Sequence, residues 1–166
     1  NILHIKRPLE ELANLERVDA ETFKARMEAA RTKLLAARNQ RTRPHRDDKI
    51  LTDWNGLMIG TLAYGSRVLN EPRYAQAAKE AATFVLERLQ REGRLLHRYR
   101  DGEASIPAFL DDYAFLSWGL LDLYEATFEV RWLSEAKRLT TEMVRLFWDD
   151  KQGGFFLSGQ LNERLV

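Results

Sequence analysis

The chain has 166 residues, 45% hydrophobic and 31% charged, with 26 basic side chains against 25 acidic ones and no cysteine. That length and composition describe a folded chain able to bury a real core in one domain, so disorder is excluded. The near-cancelled charge gives no drive toward nucleic acid or an acidic membrane, and the missing thiols exclude disulfides, thiolate metal sites and cysteine nucleophiles.

No run reaches the roughly 18 apolar residues of a membrane span. Zero cysteines fit a reducing compartment, and a cytoplasmic setting is expected. The chain opens on Asn1 with no signal-peptide pattern and closes on "NERLV", so it is expected to be a piece of something larger.

A short helical turn is predicted around residues 9–17. From Asp19 to Gln40, Phe23, Met27, Ala30, Leu34 and Ala37 recur at spacings of three and four, an amphipathic helix with Asp19 as its N-cap. "RNQRTRPHRDDK" then reads as a loop, because Pro44 disfavours a helical Arg43 before it. Its arginines have acids beside them and no interleaved aromatics, the pattern of a solvated face more than of a phosphate or nucleic-acid site.

The next helix is predicted over 53–69, and from Trp54 to Ser66 it carries no charge, so it is expected to be buried on most sides. Pro72 opens a further helix whose Tyr74, Ala78, Ala81, Val85 and Leu89 form one apolar stripe, with charges opposite. Gly93 ends it, and "RLLHRY" follows as a short extended segment.

The same order then repeats. Asp53 falls on Asp112 at an offset of 112 − 53 = 59, Gly60 on Gly119 at 59, and Tyr74 on Trp132 at 58. Each copy is a hairpin of one uncharged and one amphipathic helix followed by a short extended turn. Such hairpins cannot cover their own apolar faces and must stack. The predicted architecture is all-α, part of an α/α toroid with the uncharged helices inside. It is expected to form a single domain over 1–166, with leading helices and a basic loop (1–46), a first hairpin unit (47–100) and a second (101–166). Trp118, Tyr124, Phe128, Trp132, Phe147 and Trp148 recur at helical spacing and are expected in the core.

The runs "RPHRDDKILTDWNGLMIGTLA", "FLDDYAFLSWGLLDLYEAT", "WLSEAKRL", "FWDD" and "GGFF" occur in that order between about Arg41 and Leu157. Together they resemble the bacterial YyaL-like family and its spermatogenesis-associated, thioredoxin-domain mammalian relatives. That resemblance implies a fragment of a six-hairpin α-toroid, similar to those of N-acylglucosamine 2-epimerases and six-hairpin glycosidases, in proteins that also carry a thioredoxin-like domain. The resemblance transfers no settled reaction, and Asp53 stands where it implies a small or neutral residue.

In a toroid the starts of the inner helices converge at one mouth, where free N–H groups and the helix dipole favour polar ligands. Two carboxyls there are what acid and base work at a sugar carbon needs, and Asp48 with Asp112 are the catalytic candidates. Asp47, Lys49, Trp54, Asn55, Asp111, Tyr113 and His97 are candidates for holding a sugar-like small molecule. The competing reading is structural: Thr52 or Asp53 caps its helix, Asp112 caps the next, Trp54 and Tyr113 pack, Asp48 pairs with Lys49 or an arginine, and His97 braces an extended turn. No metal-ligand spacing appears, and neither metal nor cofactor is expected.

The function expected is sugar epimerase or glycoside hydrolase chemistry, inactive in this fragment alone. The alternative is a non-catalytic helical scaffold, or a protein- or ligand-binding module beside a thioredoxin-like domain. Self-association through uncovered toroid edges is expected, with no nucleic-acid or membrane partner.

Overall fold

The computed structural model describes residues 4–159 and divides the chain into two compact units, Asn1–Asp47 and Asp48–Val166. In the first, α1 (Leu9–Leu15) precedes α2 (Ala20–Asn39). The Asp19 side chain accepts the Thr22 N–H at 2.9 Å, capping α2 as its sequence predicts. The apolar stripe of α2 departs from expectation. None of its residues is buried and Leu34 is 59% exposed; among the described helices of this unit, the short α1 is what packs on it.

The second unit runs β1 (Ile50–Leu51), α3 (Thr52–Leu69), α4 (Pro72–Arg88), β2 (Gln90–Arg91), β3 (Arg94–Arg100), β4 (Glu103–Pro107), α5 (Leu110–Thr127) and α6 (Val130–Phe147). Its helices form two adjacent hairpins. α3 and α5 lie against each other, while α4 packs on α3 and α6 on α5. Ile59 and Ala63, Ala78 and Ala82, Leu116 and Leu120, and Trp132 and Leu139 bring the four helices into one core.

Glycines set how closely α3 and α5 approach. A Cβ on Gly56 would stand 2.5 Å from the Leu116 nitrogen, and one on Gly119 would run into the Gly56 carbonyl oxygen. Backbone therefore meets backbone at this crossing. Both helices end on a left-handed residue, Asn70 (φ 51°) and Phe128 (φ 55°), so the sequence repeat extends to its C-caps.

β3 is the hub of the small sheet, antiparallel to β1, β2 and β4, with Leu51 opposite Arg98 and Arg98 opposite Ser105. Asp101 and Gly102, at φ 52° and 85°, join β3 to β4 in a two-residue turn with both central residues left-handed. The extended segment expected at 94–99 is thus one arm of a hairpin.

Two burial expectations are corrected. The uncharged α3 is not covered on most sides: Trp54 is 69% exposed and Met58 55%. Among the described residues of this unit, only α4, α5 and the strands pack on it, and they reach one side of the cylinder. Of the six aromatics expected in the core, Trp132 and Phe147 are buried and Tyr124 is half-buried, whereas Trp118, Phe128 and Trp148 are exposed. Helical spacing marks a shared face without saying whether anything covers it. No described helix is long and apolar enough to cross a membrane.

Candidate functional site

The starts of α3 and α5 meet at one side chain. Asp112, three residues past the extended Phe109, accepts the Phe109 N–H at 2.8 Å through Oδ2, half of a capping box. Through Oδ1 it also accepts the Asp53 N–H of α3 at 3.0 Å. One carboxylate therefore satisfies an orphan donor on each of two helices. The two acids at the repeat offset of 59 are joined, with the later one capping the helix of the earlier.

β3 brings a third group. His97 places Nδ1 3.0 Å from both Asp112 oxygens, and its ring stands edge-on to Phe109 at 5.3 Å between centroids. An ionised carboxylate only accepts, so Nδ1 carries the proton and donates. Asp112 is fully buried, while the His97 side chain keeps 22% of its surface. Burial pushes the Asp112 carboxyl above its ordinary range, opposed by the hydrogen bonds from His97 and Phe109. With Nδ1 held, Nε2 has no partner among the described residues and is free to meet a solute.

Ligand atoms of Asp53, His97 and Asp112 lie within 4.8 Å of one another, a grouping that could suggest a cation. The donor set argues otherwise. Two backbone N–H groups and Nδ1–H all point at the Asp112 oxygens, filling the lone pairs a cation would need.

The remaining candidates fall into distinct places. Asp48 pairs with Arg100 on β3 at 3.3 Å, both partly exposed, so the two acids nominated as a pair each hold a different basic partner. Asp47, the last residue of the first unit, is exposed, as are Lys49 and Asp111. Trp54 lies open on α3, and Asn55 turns back to donate to the Leu51 carbonyl at 2.8 Å. Tyr113 is 1% exposed and its hydroxyl accepts the Leu95 N–H at 3.1 Å, which leaves no face for a solute.

α3 begins one residue earlier than its sequence predicts. Thr52 is fully buried and donates its hydroxyl to the Leu96 carbonyl at 2.6 Å, tying α3 to β3. The Asp53 carboxylate takes the adjacent Trp54 N–H at 2.7 Å. Sequence reasoning treated each cap as local to its own helix. The signal for the shared cap was the Asp53–Asp112 match itself, read only as a repeat.

No family model matches the chain. Over 95% of its length it is 38% identical to human spermatogenesis-associated protein 20, and 36% identical to the mouse protein of that name. It spans about a fifth of the length of these relatives, 21% of each. Among solved structures, a sugar epimerase from a ruminal bacterium superposes with a TM-score of 0.59 at 15% identity, over 69% of this chain and 31% of that one. A GH76 α-mannanase of Bacteroides thetaiotaomicron gives 0.61 at 17%, over 69% and 33%. A cellobiose 2-epimerase of Bacillus thermoamylovorans gives 0.59 at 19%, over 68% and 30%. Identities this low speak to fold alone. The chain is therefore similar in sequence to a stretch of spermatogenesis-associated protein 20 along nearly all its own length, and its helical hairpins have the fold of the α/α-toroid epimerases and glycosidases.

Proposed function

We propose that this chain is part of the toroid of a longer protein of the spermatogenesis-associated, thioredoxin-domain kind, and that the toroid acts on a sugar through His97. The observation that carries the reading is the His97–Asp112 pair at the shared helix start. Asp112, buried and saturated, is a positioning residue: it fixes the Nδ1–H tautomer and leaves Nε2 to face the solute. Nε2 would take a proton from a sugar carbon beside a carbonyl, or give one to a glycosidic oxygen. Asp48, exposed beside Arg100, would contact hydroxyls. Either chemistry needs a second acid or base on the opposite face. Further hairpins would supply it, so these residues alone are expected to be inactive. A cytoplasmic setting belongs to the same reading, resting on the absence of cysteine.

The alternative, a non-catalytic scaffold, draws on the same carboxylate. Asp112 ties β3, α3 and α5 together, which is sufficient structural reason for it. The two readings part at His97→Gln in the full-length protein, screened against aldoses and glycosides. Loss of turnover with unchanged thermal stability supports proton transfer. No conversion of any sugar by the parent favours the scaffold, and turnover that survives H97Q refutes the role given to His97.

A further inference from the structure

A cleft of about 470 Å³ runs between α3 and α5, within the size range of small-ligand sites. It begins at Gly56, three residues and about 4.5 Å along α3 from Asp53. Gly56, Gly60 and Gly119 form its floor, Tyr64 and Trp118 are among its walls, and Arg67 and Asp122 are its charged groups.

Three features set this cleft apart from a seam left by helix packing. At the repeat offset Asp122 falls on Ala63 (122 − 59 = 63) and Trp118 on Ile59 (118 − 59 = 59), both of which are core residues in the first copy. Packing of the repeat therefore does not require an acid or an indole at these positions. Second, Asp122 is partly buried yet accepts no hydrogen bond among the described residues. Burial raises its carboxyl, with Arg67 opposing. Third, Gly60 leaves room for that carboxylate, since a Cβ there would stand 3.0 Å from Asp122 Oδ2.

We propose that this cleft binds a neutral pyranose sugar, its hydroxyls donating to Asp122 and its C–H face lying on Trp118. A partly desolvated carboxylate with open lone pairs calls for donors, and a vicinal diol supplies two. Trp118 and Tyr64, 60% and 57% exposed, offer the apolar surface that a sugar ring presents in return. An organic cation would also suit an acid between aromatics, but Arg67 disfavours it. Its guanidinium lies 5.7 Å from the Tyr64 ring centroid and is paired with Glu125 at 2.5 Å, so a cation already stands at the end of the cleft. The assignment rests on the proposed function only for what happens to the sugar after it binds.

The test is a titration of the ¹⁵N-labelled chain, following the Trp118 indole N–H and the Gly60 amide. The probes are methyl α-mannopyranoside, methyl β-glucopyranoside and choline. Saturable shifts at both reporters with a glycoside are expected. D122A should weaken binding about tenfold or more through loss of charge-assisted hydrogen bonds, and the isosteric D122N by less. Shifts from choline alone, shifts unchanged in both Asp122 variants, or silence at both reporters would overturn the assignment. Sugar binding here beside an inert H97Q result rejects the chemistry and keeps the cleft. Turnover that depends on His97 with both reporters silent does the reverse.

Discussion

Asp112 stabilises the second unit through three contacts that one substitution removes together. D112A leaves the Asp53 and Phe109 N–H groups without their acceptor and His97 Nδ1 without its partner. Each lost cap costs about 0.5–2 kcal/mol, and a buried donor left unsatisfied about 1–3 kcal/mol. Against these stands relief from burying a carboxylate, the dominant influence on this group. A net loss of about 3 kcal/mol is the expected result, a large part of the stability of a small domain. Urea unfolding followed by far-ultraviolet circular dichroism reads it directly. The difference should also depend on pH. Because burial raises the folded-state carboxyl above its unfolded value, the folded chain binds that proton more tightly. The Asp112 contribution is then full below the ordinary aspartate range, about pH 4, and declines as pH rises through the folded value. A loss below about 1 kcal/mol, or a wild-type advantage over D112A that grows as pH rises through that window, would refute the account of Asp112 as a buried shared cap.

Other substitutions separate packing from chemistry. Y113F removes the acceptor of the buried Leu95 N–H and should cost about 1–3 kcal/mol in the same unfolding assay, whereas a substrate-contact role would show in ligand affinity instead. G119A sets a methyl against the Gly56 carbonyl, backbone that no rotamer change can move, and should cost about 1–3 kcal/mol or more. A neutral result would mean that α3 and α5 can separate. The exposed Trp54, Met58 and Leu69 share one stripe of α3, on a different side from Leu57 and Tyr64 of the cleft. Sedimentation should show concentration-dependent self-association that M58K weakens; a monomer at every concentration counts against it.

Much of the secondary structure was legible because its elements depend on local chemistry. Pro72 at a helix start, Asp19 as a cap and the spacing of Ala78, Ala82 and Val85 each act within a turn or two of the chain. The β3–β4 hairpin was equally available from Asp101-Gly102, the residue pair that the turn requires, but only its first arm was recognised. His97 was named without its partner. Nothing local joins it to Asp112, and only the antiparallel registers of β3 against β1 and β4 carry it to the starts of α3 and α5.

By itself, the sequence determined the two hairpins, their repeat at 59 residues and the positions of acids at the starts of the uncharged helices. Spacing, capping and breaker residues are one-dimensional signals, and they suffice for that. Only the tertiary structure decided which acid is buried and shared, which aromatics lie open, and that Asp122 looks into a cleft above Gly60. A helical period names a face, but what the face meets depends on how closely another helix approaches, and here three glycines on two helices set that distance.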